Sequence, residues 1–216
     1  MSFTCFPKKY QLRWCACLLF SQLLLNPQVR GGLAITSPGA GGVQGNPGQT
    51  NTYGWTFSVG ANNLQVTGLG IWDQGQDGLN GSHVVGIWNS DGNLVSSATV
   101  SAGTAAPLSG EFRIQSLSTP FILSAGSTYT IGALFQGDDN CHGPQAGPST
   151  IAPQIMNVEG RFDSSGVFTE PNLVLQPGDP PYLGPNFEFN TVPEPQTWSL
   201  LLVTGIGLFL GRRYAR

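Results

Sequence analysis

Short runs in which hydrophobic and polar residues alternate fill the chain between residues 52 and 191. The clearest run places Tyr53, Trp55, Phe57 and Val59 at every second position, which is the period of a half-buried β-strand. No stretch of this interval carries a helical repeat. Gly, Asn, Asp and Ser separate further runs at 64–72, 83–88, 94–100, 111–117, 128–135, 155–162 and 186–189.

Seven to nine closely spaced runs of this kind predict an all-β fold, an antiparallel β-sandwich or a jelly-roll-like arrangement. The segment from Asn89 to Asn93 lies between two of the runs and contains Asp91-Gly92, so it predicts a hairpin loop. Two long polar stretches, at 138–153 and 170–185, are expected to be loops.

The N-terminus has the order of charges and apolar residues that is typical of a secretory signal peptide. Lys8, Lys9 and Arg13 precede an apolar stretch at 14–25, and small residues at 31–34 predict cleavage after Ala34. We therefore expect a signal peptide at 1–34, a flexible Gly/Pro-rich lead-in at 35–51 and a β-domain at 52–191.

The C-terminus, residues 192–216, combines three features in order. Val192, Pro193, Glu194 and Pro195 come first, and the uncharged run 198–210 and a basic end with Arg212, Arg213 and Arg216 follow. The run has 13 residues, whereas a spanning helix needs about 20 and at least about 17. The arginines are the charges that orientation in a membrane holds on the cytoplasmic side.

This block resembles the PEP-CTERM sorting signal of exported proteins from Gram-negative bacteria. The resemblance implies a C-terminal transmembrane helix that holds the chain in the inner membrane. It also implies an exosortase, a membrane protease, as partner, and an extracellular or cell-surface product associated with exopolysaccharide. The alternative is an ordinary tail anchor.

Charge is strongly segregated along the chain. Residues 35–192 carry eleven acidic residues but only Arg113 and Arg161, a formal net charge of −9, although the whole chain totals −3. Binding to nucleic acid requires clustered Lys and Arg, so this composition excludes it. An acidic extracellular domain could instead take up divalent cations.

Cysteine is also unevenly distributed. Three of the four cysteines lie in the predicted signal peptide, and Cys141 stands alone in the domain. One thiol cannot form an internal disulfide, so the domain must fold on its hydrophobic core. The adjacent Cys141 and His142 are expected to face solvent in a loop, since neighbouring side chains rarely act as nucleophile and base.

The segment from Asp73 to Gly78 matches half of a calcium-binding loop. With Asp73 as position one, Asp77 takes position five and Gly78 position six, but the residues at positions three and twelve supply no carboxylate. Asp73 and Asp77 are therefore candidate Ca²⁺ ligands, and an Asp/Gly turn between strands is the alternative. No other cofactor is expected.

Two tryptophans, Trp72 and Trp88, end predicted strands and could stack on a sugar ring if they are exposed; core packing is the alternative. The stretches 66–79 and 83–95 that contain them resemble an uncharacterised domain family of bacterial secreted proteins. This resemblance covers residues 53–135 and implies a β fold, but no chemistry.

The functional expectation is an exported, non-catalytic protein of the cell surface or extracellular matrix, not an enzyme. No motif for a serine hydrolase, a zinc protease or a phosphate-binding loop is present. A carbohydrate-binding β-sandwich module, calcium-dependent or not, is the first alternative, with a glycan as partner. A small glycan-active enzyme is the second, although its candidate carboxylates are isolated in the sequence: Glu111, Glu159, Glu170 and Glu188.

Overall fold

The computed structural model describes residues 31–39, 49–136, 139, 141, 148–175 and 181–192. Regular structure within these residues consists of thirteen β-strands and no helix. The core of the predicted signal peptide and the predicted C-terminal helix lie outside them. The strands are β1 (Gly31–Leu33), β2 (Ile35–Ser37), β3 (Asn51–Val59), β4 (Asn63–Trp72), β5 (His83–Asn89), β6 (Leu94–Val100), β7 (Leu108–Ser109), β8 (Phe112–Leu123), β9 (Thr128–Phe135), β10 (Thr150–Ile151), β11 (Ile155–Asp163), β12 (Leu173–Val174) and β13 (Pro185–Val192).

The strands form two main sheets in which every pairing is antiparallel. Sheet I has the order β1-β13-β4-β8-β7, and sheet II has the order β12-β11-β3-β9-β5-β6. A separate pair joins β2 to β10. The predicted all-β, antiparallel class is therefore confirmed.

One hydrophobic core draws residues from both sheets. The ring of Phe187 on β13 lies 5.2 Å from that of Phe57 and 6.0 Å from that of Trp55, both on β3. These rings are fully buried, and the other hydrophobic residues at alternate positions of β3, Tyr53 and Val59, are buried too, as the period of two predicted. The aromatic contact between β13 and β3 thus joins sheet I to sheet II.

Most strand predictions agree with the structure, and β8 shows why one of them stopped short. The sequence predicts a strand over 111–117, but β8 continues to Leu123. Its pairing with β4 jumps from Ser116 to Phe121, so the residues between them bulge away from the ladder. Pro120 lies in this exposed bulge, where it removes no ladder hydrogen bond.

The predicted boundary after Ala34 falls inside the folded domain. β1 pairs with β13, and Ala34 and Ile35 are fully buried. The Asn186 side chain accepts from the Ile35 N–H at 3.0 Å and donates to the Ile35 carbonyl at 2.9 Å. Residues 35–37 therefore belong to a fixed strand, which corrects the expectation that the lead-in is flexible from residue 35.

Removal of residues 31–34 should destabilise the domain. We expect a fragment 35–192 to unfold at a lower urea concentration than a fragment 31–192, because the shorter one loses β1 and the burial of Leu33. Burial of one leucine side chain contributes about 1.5–3 kcal/mol. Equal midpoints with equal m-values for the two fragments would show that β1 adds nothing to the fold.

Candidate functional site

Four buried ionisable side chains surround the crossover loop, residues 73–82, which carries the chain from β4 in sheet I to β5 in sheet II. They are Asp73 at its start, His83 directly after it, Arg113 on β8 and Asp139. Charged groups are buried in proteins only when they are paired. The crossover loop is therefore the place where the described structure concentrates polar interactions in its interior.

Asp73 and Arg113 form a buried ion pair at the start of the loop. The Arg113 Nε–H donates to Asp73 Oδ2 at 2.7 Å, and both side chains are less than a tenth exposed. The same guanidinium donates to the carbonyls of Gln76, at 3.1 Å, and Ala106, at 3.4 Å. Arg113 thus anchors the loop through both a side chain and the main chain.

The loop backbone is shaped around the Asp73 carboxylate. Both of its oxygens accept from the Gly78 N–H, at 3.2 and 3.1 Å. Gly78 has a φ of +115° and lies against Gly103, where a Cβ would come within 3.0 Å of the Gly103 carbonyl carbon. Only glycine satisfies both conditions without strain, and this local geometry is that of an Asp/Gly turn.

Asp77, the second candidate calcium ligand, is exposed at the outer side of the loop. Within the described residues, no group of three or more His, Cys, Asp or Glu side chains lies close enough to hold a metal ion. Asp73 has protein donors on its carboxylate, so it would have to share these oxygens with a cation. The calcium site at Asp73 and Asp77 stays a prediction, which titration with calcium can test.

His83 and Asp139 form the second buried pair. The Nδ1 of His83 lies 2.9 Å from the Leu134 carbonyl, and its Nε2 lies 2.8 Å from Asp139 Oδ2. A carbonyl and an ionised carboxylate can only accept, so each ring nitrogen of His83 faces a hydrogen-bond acceptor. The pair holds β5 and β9 to the segment that contains Asp139.

Asp139 also fixes the far end of the crossover loop. Its carboxylate accepts from the N–H groups of Asn80, at 2.9 Å, and Gly81, at 2.8 Å, and from the Asn80 side chain at 3.1 Å. Burial raises the pKa of this carboxyl, but the hydrogen bonds from His83, Asn80 and Gly81 outweigh burial and leave the pKa below its ordinary value. Asp139 is therefore ionised at neutral pH.

Cys141 is fully buried, with Gly184 packed against it. This corrects the expectation of a solvent-facing thiol; His142 lies outside the described residues. Burial raises the pKa of the Cys141 thiol to about 12. The thiol therefore stays protonated at neutral pH and behaves as a small hydrophobic residue rather than as a nucleophile.

Trp72 belongs to the core between the sheets and is only 4% exposed. Its Nε1–H donates to Glu111 Oε2 at 3.2 Å, and Glu111 Oε1 accepts from the Ser37 hydroxyl at 3.1 Å. Glu111 thus links β2, which contains Ser37, to β4 of sheet I, which contains Trp72. Because the Trp72 ring is buried, neither of its faces is open to a sugar, which supports the core-packing alternative.

Trp88 is buried in a different way, on the outer face of sheet II. It is 5% exposed, yet it lies outside the core between the sheets. Its ring lies 5.1 Å from that of Phe168, which belongs to a covering segment, residues 164–172, that crosses this face before the chain enters β12. Glycines make room for the segment, since a Cβ at Gly86 would lie 2.7 Å from Phe168 and one at Gly132 would lie 2.9 Å from Pro171.

The predicted sorting residues lie at or beyond Val192, the last residue that the structure describes. Val192 is the last residue of β13 and pairs with Asn63 on β4. Pro193, Glu194, Pro195, Arg212 and Arg213 lie outside the described residues. None of the described residues forms a helix of the length and hydropathy that crossing a membrane requires.

These observations define the class of protein: an all-β domain of two antiparallel sheets whose buried polar side chains secure one crossover loop. The chain belongs to the family described as a domain of unknown function (DUF4082), whose profile matches residues 39–171. No curated protein and no solved structure shows a significant match. The matched range contains all four buried ionisable residues around the loop, but it leaves out β1, β2, β12 and β13.

The sequence did not reveal which residues pair with the buried ionisable side chains around the crossover loop. Arg113 attracted attention only as one of two cations between residues 35 and 192, and that scarcity was the available signal for a specific ion pair. Each ion pair joins residues that are at least 40 positions apart, and no local pattern reveals such a contact.

Loss of the Asp73 carboxylate should strongly destabilise the domain. We expect Asp73→Ala to lower the free energy of unfolding by about 3–5 kcal/mol, because it leaves the buried Arg113 without its counter-ion. Urea denaturation of fragment 31–192 measures the change. The matched control is Asp77→Ala, an exposed site at which the change should stay within about 0.5 kcal/mol.

The same pair of variants decides the calcium hypothesis. If Asp77 binds calcium, millimolar calcium raises the melting temperature of the unsubstituted fragment by mass action, and Asp77→Ala removes that rise. A melting temperature that is the same in millimolar calcium and in excess chelator would leave the Asp/Gly turn as the remaining interpretation of this segment. A cost of Asp73→Ala that is no larger than that of Asp77→Ala would contradict the structural role of the ion pair.

The His83–Asp139 pair should make stability depend on pH. Since the pKa of Asp139 is lowered in the folded state, its contribution is fully present above the ordinary value of about 3.9 and is lost as the pH falls through the folded value. We expect Asp139→Asn to be less stable than the unsubstituted fragment at pH 7, with the gap closing towards pH 3. A gap of constant size across this range would be inconsistent with an ionised Asp139.

Proposed function

We propose that this chain is an exported, non-catalytic protein of the cell surface or extracellular matrix that is sorted through a PEP-CTERM signal. The observation that carries the proposal is the C-terminal block: a Pro-Glu-Pro motif, an uncharged run of 13 residues and a basic end, in that order. A run of this length is marginal for permanent anchoring. It suits an anchor that holds the chain in the inner membrane until an exosortase removes it.

The end of β13 supports this proposal. Val192, the first residue of the motif, is the last residue of β13 and pairs with Asn63. Pro193 has no N–H to continue a ladder, and proline restricts the residue before it to extended conformations. The motif would thus leave the domain as an extended segment, the form in which proteases bind peptides.

The reactive side chains of the described residues support a non-catalytic role. The carboxylates of Asp73, Asp139 and Glu111 accept hydrogen bonds that hold the fold together. Glu159 pairs with Arg161 on the exposed side of β11. The thiol of Cys141 is buried and protonated. In each case a structural contact or burial accounts for the position of the group.

A carbohydrate-binding module is the second candidate, because the strand order favours a jelly-roll-like β-sandwich. Sheet I contains the neighbours β1-β13-β4-β8, and sheet II contains β3-β9-β5-β6. Two four-stranded antiparallel sets in which the chain alternates between sheets match a jelly roll built from two Greek keys, an architecture that lectin domains use. The outer face of sheet II, where Trp88 lies under Phe168, is then the surface to examine for glycan binding.

The sorting signal gives the proposal its test. In a host that carries an exosortase, replacing Pro193, Glu194 and Pro195 with alanine should trap the full-length chain in the inner membrane. Deletion of residues 200–216 should instead release the domain without processing, because the anchor is gone. Fractionation with an antibody against the β-domain distinguishes membrane-bound from released protein.

The matched control replaces Thr191, the residue before Val192, with serine, and it should be processed like the unsubstituted chain. Unsubstituted protein that keeps Arg216 at steady state would contradict the sorting proposal and leave a plain tail anchor in its place.

A further inference from the structure

Asn80 and Gly81, at the far end of the crossover loop, form a dipeptide with chemistry of its own. In an Asn-Gly pair the main-chain nitrogen of glycine attacks the preceding side-chain amide readily, because glycine has no Cβ to hinder the approach. The pair occurs once in the chain, and Asn80 is exposed. A reactive site that water can reach therefore lies in the loop on which the crossover between the sheets depends.

The reaction needs water but no cofactor or oxidant. The Gly81 nitrogen loses its proton to a base and bonds to Cγ of Asn80. The bond between Cγ and Nδ2 then breaks, and Nδ2 leaves as ammonia with a proton that replaces the one lost by Gly81. The succinimide ring that remains is opened by water at either carbonyl, which leaves aspartate or isoaspartate at residue 80.

In the folded structure one carboxylate binds both nitrogens that take part in this reaction. The Gly81 N–H donates to Asp139 Oδ2 at 2.8 Å, and the Asn80 side-chain amide donates to Oδ1 at 3.1 Å. The main-chain N–H of Asn80 donates to the same Oδ1 at 2.9 Å. His83 fixes the carboxylate from the interior, with its Nε2 2.8 Å from Oδ2.

This arrangement opposes ring closure in two ways. Loss of the Gly81 proton would create a negative charge beside the ionised Asp139, which is unfavourable in a partly buried site. Rotation of the Asn80 amide towards the Gly81 nitrogen would break its hydrogen bond to Oδ1, and hydrogen bonds to a charged acceptor are stronger than neutral ones. Both oxygens of Asp139 are already engaged, so the carboxylate is poorly placed to act as the base.

The products of the reaction do not fit the closed loop. A carboxylate at residue 80 has no proton to donate and would meet Asp139 Oδ1 where an amide nitrogen now lies at 3.1 Å. Two like charges at this distance disfavour the folded arrangement. Isoaspartate also lengthens the main chain by one methylene between the two N–H groups that Asp139 accepts.

We propose that Asn80-Gly81 is a self-modification site that Asp139 protects while the crossover loop is closed. Opening of the loop releases both nitrogens from Asp139, and conversion of Asn80 to aspartate or isoaspartate then prevents the loop from closing again. The change is one-way, because the ammonia is lost to solvent.

The rate of conversion at residue 80 tests the protection. The full-length chain is incubated at neutral pH in mild detergent, with and without urea, and peptide mass mapping measures aspartate and isoaspartate. We expect slower conversion in the folded chain than in urea. Asp139→Asn should accelerate conversion in the folded state by about tenfold or more, because hydrogen bonds to a charged acceptor are lost.

The matched control is Asp73→Asn, which makes the same isosteric change at the other end of the loop without touching Asn80 or Gly81. Circular dichroism checks that both variants are folded. Equal conversion rates in folded Asp139→Asn and Asp73→Asn would overturn the proposal. Conversion in the folded unsubstituted chain that matches or exceeds the rate in urea would also overturn it, and this comparison decides the question if Asp139→Asn does not fold.

The effect of the product is tested separately with Asn80→Asp. We expect this variant to unfold at a lower urea concentration than Asn62→Asp, which adds the same charge at an exposed asparagine away from the crossover loop. Equal midpoints for the two variants would contradict the claim that the modified residue keeps the loop from closing.

Discussion

The crossover from sheet I to sheet II depends on two buried carboxylates. Asp73 and Asp139 hold opposite ends of the crossover loop, each through main-chain N–H groups of the loop and one buried basic side chain, Arg113 or His83. Transfer of a charge into the protein interior costs several kcal/mol unless its partner and hydrogen bonds are in place. The two pairs therefore restrict the loop to the conformation that satisfies both carboxylates. A loop conformation that satisfies only one of them would leave a buried charge without its partner.

Pairing of buried charges also explains how an acidic domain without a disulfide accommodates a cation in its interior. Arg113, one of only two cations between residues 35 and 192, lies in the interior, where its guanidinium satisfies three acceptors. The surface retains most of the negative charge, which favours solubility. The aromatic contact between Phe187 and the rings of β3 then joins the sheets, and β13 takes part in both the core and the binding of the N-terminal strands.

Alternation identified the strands because burial of one face acts on each strand separately. Alternation could not show whether a buried face packs in the core between the sheets or under another segment. Trp88 is buried, but it lies under the covering segment rather than in the core. The ion pairs were beyond sequence reasoning for a related reason, since their members come together only through the fold. β1 and β2 were missed because small residues at 31–34 resemble a cleavage site as much as a short strand. Asn186, 151 positions away from Ile35, supplies the hydrogen bonds that distinguish the two.

Both ends of the described domain meet strand β13. β1 pairs with its residues 188–190, and Val192, the first residue of the predicted sorting motif, is its last residue. If the chain is exported and sorted as proposed, we expect the product to keep residues 31–192 and to lose the apolar run at 198–210. The intact mass of the protein recovered from the outside of a host that carries an exosortase tests both statements in one measurement. A mass that fits a chain beginning at or before Gly31 and ending before Trp198 is the predicted result; a mass that includes Arg216 would contradict it.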